Sequence, residues 1–282
     1  MNVEENLSLD LETPAGWDAR IHIAKCGEMV RAYLVQSQRY LLVYDTLLGP
    51  QSGGWLRKQA DRLAEKRTVV VVNSHADWDH YFGNQSFEDL VIAGSRSCRD
   101  RILGDVGRLE LEKKRAESPA SYDAVRLVGP SVCLEGRGVI DGGDLTFLLL
   151  PTDGHRPDHL ALFIPEIATL FPGDCVEDPI PLVDEDSDLT SNTVEELARS
   201  LESMIALKPA WVLANHAAPE SGTERMKSNL AYLRRLQASA LEADSLEQLQ
   251  QLLPADSSWG EFYREAHNSQ TRMAWEQRKS AR

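Results

Sequence analysis

Cysteine is scarce in this chain of 282 residues: Cys26, Cys98, Cys133 and Cys175 stand far apart and form no CxxC pair. That spacing offers no disulfide framework and fits a reducing compartment. Positive charge is also in short supply, with Lys and Arg at 30 against Asp and Glu at 44, a net charge of −14. Binding to a phosphate backbone relies on Lys and Arg, so a nucleic-acid partner is not expected, nor is adhesion to an anionic membrane. No apolar run approaches the ~20 residues of a membrane span. The first stretch, MNVEENLSLDLETP, is acidic and lacks the basic and apolar regions of a secretory leader; the expected location is the cytoplasm. A linker rich in Gly or Ser is missing as well. We therefore expect one domain over 1–282, with a core at about 20–220 and a helical C-terminal extension over 221–282.

What is present is a 42% hydrophobic chain in which short β-prone runs alternate with helical patterns. Strands are expected at 20–24, 30–36, 40–44, 69–72, 90–93, 125–128, 132–134, 138–140, 145–150, 160–163, 169–171 and 211–214. Helices are expected at 55–67, after Gly53-Gly54, and at 95–124, broken at Pro119. Another is expected at 193–207, capped by Ser191 or Asn192. The extension reads as helices at 224–240, 245–253 and 258–279. Two halves that each mix strands and helices suggest two sheets packed face to face with helices outside.

The chemistry gathers just past strands. After the valines 69–72 comes SHADWDHYFGN, with His75, Asp77, Asp79 and His80 in six residues. Such a cluster is costly to desolvate without a partner. Side chains two apart on an extended segment point the same way, so His75 and Asp77 can converge on one ion, and Asp79 and His80 on a second. Three later strands end in the same manner: at Thr152-Asp153-Gly154-His155, at Phe171-Pro172-Gly173-Asp174 and at Ala214-Asn215-His216. Seven ligand-type side chains from four loops suit two metal ions.

These motifs, in order and spacing, resemble the metallo-β-lactamase superfamily over about 21–216, with its His-x-His-x-Asp-His motif and three later ligands. The resemblance implies an α+β fold, a four-layer αββα sandwich, and an enzyme of the metallohydrolase type. It implies that His75, Asp77 and His155 hold one metal, that Asp79, His80 and His216 hold the other, and that Asp174 bridges. It also makes Asp45 an acidic support beneath the site. One departure is Asp77, where the family carries histidine. Carboxylate oxygen is a harder donor, so the expected pair of divalent ions, zinc by family habit, extends to iron or manganese. A glutamate at this position marks the flavodiiron members, which need an electron donor; no flavin-binding stretch is visible here. The expected reaction is hydrolysis of an ester, thioester or lactone of a small molecule by hydroxide shared between two metals ~3.5–4 Å apart. Asp79 would orient the nucleophile or relay its proton, and Tyr81 would donate to the oxyanion. Trp78, Tyr81 and Phe82 would wall the pocket. The alternative is a diiron protein handling oxygen or peroxide with a separate reductase.

Plainer readings stand beside these. His75–His80 is alternatively a polar turn capping a helix, and Asp174 an exposed turn. His159 competes with His155 as ligand, with Asp158-His159 otherwise a support. His216 sits in Asn-His-Ala-Ala rather than the family's Gly-His. His22 reads as a solvent-facing strand residue, His267 as packing, Cys175 as a small buried residue. The segment 176–193, with six acids and two prolines, reads as a solvated loop or as a rim favouring neutral or cationic substrates. Apolar points on the C-terminal helices read as packing or as a homodimer face.

Overall fold

The computed structural model describes residues 8–12, 15–183 and 193–278. They form two compact units, Met1–Pro151 with Asp158–Phe171, and Thr152–Pro157 with Pro172–Arg282.

The first unit holds eleven strands and five α-helices among the described residues. In chain order they are β1 (Leu9–Glu12), β2 (Ile21–Cys26), β3 (Val30–Gln36), β4 (Tyr40–Tyr44), α1 (Pro50–Ala64), β5 (Thr68–Val72), α2 (Trp78–Tyr81) and β6 (Val91–Ser95). Then come α3 (Arg96–Leu103), α4 (Asp105–Glu117), α5 (Pro119–Tyr122), β7 (Val132–Leu134), β8 (Gly138–Asp141), β9 (Thr146–Pro151), β10 (Leu160–Ile164) and β11 (Thr169–Phe171). One sheet runs β1 to β7 in sequence order, antiparallel from β1 to β4 and parallel from β4 to β7. Parallel neighbours need a crossover, and α1 supplies the one between β4 and β5. Strands β8 to β11 pair antiparallel in turn.

Period-2 alternation divides the first sheet's residues between two faces. Ala32, Leu34, Leu41, Val43, Val69 and Val71 pack in one core with Leu56, Ala60 and Ala64 of α1. Each leucine or valine among them, fully buried, contributes roughly 1.5–3 kcal/mol. Tyr33 and Tyr44 turn the other way, onto the second sheet. The Tyr33 ring meets Phe171 edge-on at 5.0 Å, and the Tyr44 hydroxyl donates to the Leu160 carbonyl at 2.7 Å.

Local chemistry accounts for three departures from the expected elements. Helix α1 begins at Pro50, not at Trp55, with proline in its first turn. Gly53 belongs to that turn because a Cβ there would lie 2.6 Å from the Gly83 Cα; the glycine marks a close approach rather than a break. The expected helix at 95–124 is three segments, the first capped by the Ser95 hydroxyl, which accepts from the Cys98 N–H at 2.9 Å. No strand forms at 125–128. There the Val125 carbonyl accepts from Arg115 at 2.8 Å and the Val128 carbonyl from Asn84 at 2.8 Å, so side chains replace a ladder.

The second unit contains α6 (Thr193–Ala206), β12 (Trp211–Val212), β13 (Glu220–Ser221), α7 (Glu224–Glu242), α8 (Leu246–Leu252) and α9 (Glu261–Gln277). Strands β12 and β13 form an antiparallel pair. Arg234 of α7 ion-pairs with Glu195 and Glu202 of α6. His267 of α9 is buried between the Tyr232 hydroxyl and the Leu253 carbonyl, each 2.9 Å away. Burial lowers its pKa, as befits a packing residue. The expected caps Ser191 and Asn192, the helix end Lys279 and half of the acidic stretch, residues 184–192, lie outside the described residues. Among the described residues no helix is long and apolar enough to cross a membrane.

Candidate metal centre

Strands β4 and β5 run parallel and end in register, Tyr44 beside Val72. Asp45 and the segment Asn73-Ser74-His75 therefore leave the sheet side by side, at the carboxyl ends where α/β sheets present their functional loops. Asp45 adopts a left-handed backbone, φ 65°, a conformation that aspartate tolerates better than most residues. Its fully buried carboxylate accepts from the Ser74 N–H at 2.7 Å, from the Ser74 hydroxyl at 2.7 Å and from His80 Nδ1 at 3.0 Å.

These bonds dictate the imidazole tautomers. A carboxylate only accepts, so His80 carries its proton on Nδ1. The Ser74 hydroxyl has given its hydrogen to Asp45, so at 2.8 Å from His75 Nδ1 it accepts, and His75 is also protonated at Nδ1. Both rings thus direct the Nε2 lone pair away from their supports. They lie 4.2 Å apart by ring centroid. His75 Nε2 is 3.5 Å from Asp77 Oδ2, and His80 Nε2 is 3.7 Å from Asp79 Oδ1.

The loop is braced from its far side by Asp158. This buried carboxylate accepts from the Ala76 N–H at 2.7 Å and ion-pairs with Arg101 at 3.0 Å. Burial pushes its pKa up, against the pull of His75 and Arg101. Its neighbour His159 stacks near His75 at 5.0 Å. Below the loop, Asn73 and Asn84 exchange amide hydrogen bonds at 3.0 and 2.8 Å, and the Thr46 N–H donates to the His80 carbonyl at 2.8 Å. Gly83 fits here because a Cβ would fall 1.9 Å from the Thr46 oxygen.

The second unit assembles its own three candidate ligands. Gly154, φ 108°, lies so close to α6 that a Cβ would meet the Leu197 nitrogen at 2.1 Å, which fixes the turn carrying His155. His155 Nδ1 donates to the Leu182 carbonyl at 3.1 Å; a carbonyl only accepts, so the lone pair is again on Nε2. Asp174 sits in a short 3-10 turn, Gly173–Cys175. Its Oδ2 is 3.2 Å from His216 Nε2 and 3.7 Å from His155 Nε2. Cys175 is fully buried with its Sγ 3.9 Å from the Thr152 carbonyl, and burial pushes its thiol up.

A metal must be compatible with this donor set. Zinc–nitrogen and zinc–oxygen bonds of ~2.0–2.1 Å at tetrahedral angles place neighbouring donor atoms ~3.3 Å apart. The four histidine–carboxylate separations, 3.2 to 3.7 Å, fall around that edge. The donor chemistry, neutral imidazole and carboxylate, suits a divalent cation, so the residues fit the group.

Some expected roles sit elsewhere. Tyr81 is 1% exposed, packed in an apolar cluster with Phe82, Cys98, Ile102 and Tyr122. Trp78 joins that cluster edge-on to Tyr122 at 5.7 Å, with the Lys114 ammonium 4.2 Å over its face. His22 is half-buried and meets Gln36 Oε1 at 3.1 Å instead of facing water alone. Three residues carried no signal in the sequence: Ser74, Glu177 and Tyr263. Glu177, read as part of a solvated loop, is 2% exposed and accepts from the Tyr263 hydroxyl at 2.7 Å.

Comparison with known proteins agrees with these features. The model of the family described as "Metallo-beta-lactamase superfamily" matches residues 27–216. Acyl-coenzyme A thioesterase MBLAC2 of Bos taurus is 28% identical over 167 residues, covering 54% of this chain and 60% of the relative. The match thus spans less than two thirds of that protein. Among solved structures, a metallo-beta-lactamase family protein of Thermus thermophilus superposes with a TM-score of 0.65 at 17% identity, over 98% of this chain and 94% of its own. A beta-lactamase domain protein of Burkholderia ambifaria does so with a TM-score of 0.67 at 16% identity, over 97% and 91%. The fold is the αββα sandwich with added C-terminal helices, and the chain belongs to the metallo-β-lactamase superfamily.

Proposed function

We propose that the protein is a metal-dependent hydrolase that cleaves an acyl bond of a small molecule, with a thioester as the first candidate. The carrying observation is that His75, His80 and His155 each spend Nδ1 on a fixed acceptor. That leaves three Nε2 donors oriented beside carboxylates, an arrangement that neutral packing does not require. In this proposal His75, Asp77 and His155 hold one divalent cation, Asp79, His80 and His216 a second, and Asp174 both. Bound cations supply Lewis acidity and bring the pKa of water toward ~7.

The chain's own residues do the rest. Asp45 and Ser74 hold the histidine tautomers. Asp158 anchors the Ala76 backbone so that Asp77 and Asp79 keep their directions. The Asp79 carboxylate orients the attacking water and passes its proton to the leaving group. Tyr81 is left out of this chemistry, since its ring is buried among apolar neighbours.

The thioester class is supported by the acyl-coenzyme A thioesterase relatives of Bos taurus, Homo sapiens and Gallus gallus. The charge of −14 disfavours a polyanionic leaving group, so the assay pairs acyl-coenzyme A with acyl esters of uncharged thiols, aryl esters and lactones, each with zinc, manganese or iron. Acyl cleavage that stops on chelation and returns with metal is the expected result. Cleavage indifferent to chelation, or none across the panel, would overturn the proposal. Asp77 favours a second reading, a diiron redox protein. Its mark would be two irons per chain with visible absorbance that changes on reduction, without hydrolysis.

A further inference from the structure

The second unit buries an acidic residue that the proposed ligand set does not use. Glu177 follows Asp174 by three positions, and its backbone is held on both sides by one side chain. Asn229 of α7 accepts from the Glu177 N–H and donates to the Glu177 carbonyl, each at 3.0 Å. Asn229 is itself 1% exposed. The carboxylate is held in turn by the Tyr263 hydroxyl of α9 at 2.7 Å. Two helices of the C-terminal extension thus grip a single acid. The carboxyl lies within electrostatic reach of His216, Asp174 and His155, and burial pushes its pKa up to about 7. Tyr263 is within electrostatic reach of Asp174 as well. Burying a carboxyl is costly unless it is hydrogen-bonded or paired with positive charge; here it is clamped three residues after Asp174, where a nearby cation would offset that cost.

We infer that Glu177 is a positioning residue for the candidate ligands Asp174, His155 and His216 of the two proposed cations, clamped by Asn229 and Tyr263 so that the C-terminal helices support the metal centre. The inference rests on the metal reading above. Glu177 does not touch substrate; it adds negative charge beside the ligand set and keeps Asp174 and His216 in place when the cation binds. Outer groups of this kind typically govern metal affinity by ~10–100-fold.

The test is cobalt(II) binding by competition against a chelator, with thermal unfolding of the metal-free protein in parallel, for the full chain and for Glu177→Gln and Tyr263→Phe. Glu177→Gln preserves size and an acceptor for Tyr263 while removing the charge. It should weaken cobalt binding ~10–100-fold and shift the cobalt visible bands. Its metal-free Tm at pH 8 should hold or rise, because a buried carboxylate has been removed. Tyr263→Phe should weaken binding by a smaller factor. Affinity within twofold of the parent in Glu177→Gln would overturn the inference. So would weakened binding with a lowered metal-free Tm, the mark of a purely structural role. Should Glu177→Gln fail to fold, Tyr263→Phe decides, a threefold or larger loss supporting the inference and an unchanged affinity overturning it. A parent chain that takes up no cobalt would overturn both this inference and the metal reading. A parent that binds cobalt as tightly as Glu177→Gln overturns this one alone.

Discussion

Replacing Asp45 by asparagine is the sharpest probe of how the histidines are set. Asparagine tolerates the left-handed backbone at this position, φ 65°, and matches the size of aspartate, so the change isolates the carboxylate. Asp45 now accepts three hydrogen bonds, from the Ser74 N–H, the Ser74 hydroxyl and His80 Nδ1. With its oxygen kept toward the Ser74 N–H, the new amide sets its NH2 against His80 Nδ1, which must then accept. The imidazole proton moves to Nε2, the atom a cation needs. The reverse orientation sets NH2 against the Ser74 N–H instead, so neither is satisfied. Hydrogen bonds to charged groups contribute ~1.5–3 kcal/mol and neutral ones ~0.5–1.5. Weakening one and disrupting up to two others costs about 2–4 kcal/mol of stability. The misplaced proton costs ~10–100-fold in metal affinity, equivalent to about 1.4–2.7 kcal/mol. Urea unfolding in chelator measures the first and chelator competition the second. A variant that binds zinc or cobalt within twofold of the parent would refute the tautomer argument, whatever its stability.

Three further outcomes follow from the same geometry. Asp77→His should fold and bind zinc more tightly, as measured by chelator competition; complete loss of metal would remove Asp77 from the ligand set. Gly83→Ala drives a Cβ to 1.9 Å from the backbone oxygen of Thr46, where nothing flexible can yield, so urea unfolding should show a loss of about 3 kcal/mol or more. Glu177 titrates at about 7 in the fold against 4.5 ordinarily, so the folded protein holds its proton more tightly than the unfolded chain. That contribution is fully present below pH ~4.5 and is lost as pH rises to about 7, on the order of 3 kcal/mol in metal-free protein; Glu177→Gln should flatten this slope in chemical unfolding across pH 4.5–8.

The sheet was readable where burial imposes a period. Strands β3, β4, β7 and β11 carry their expected bounds; β3, β4 and β11 are nearly continuous buried runs, whereas β7 is exposed at Val132 and is read from its short β-prone run alone. The misread segments are those whose backbone partners are distant. Residues 125–128 look like a strand by composition, yet their carbonyls are taken by Arg115 and Asn84. Strand β1 alternates Leu9-Asp10-Leu11-Glu12 over only four residues, too short and acidic to be read alone, and is recruited by pairing with β2. Gly53-Gly54 punctuates the sequence like a turn, but its packing partner Gly83 lies thirty residues on, and that contact makes it helical.

The metal centre divides along the same line. Its candidate ligands were legible because each lies shortly after a strand's end, so the strand and the ligand-type side chain are read in one stretch of chain. Of the supports around them, Asp45 and Asp158 are legible as such, whereas Ser74 is an ordinary hydroxyl until its bonds to Asp45 and His75 are seen, and Glu177 is held from 86 residues away by Tyr263. Yet those supports decide the chemistry. A histidine in the right place with its proton on Nε2 is not a ligand. The same seven side chains on a scaffold lacking Asp45 and Ser74 would give the motif without the coordination, which is why the carboxylate at position 45, rather than any ligand, is the position at which loss of metal should come with the ligands still in place.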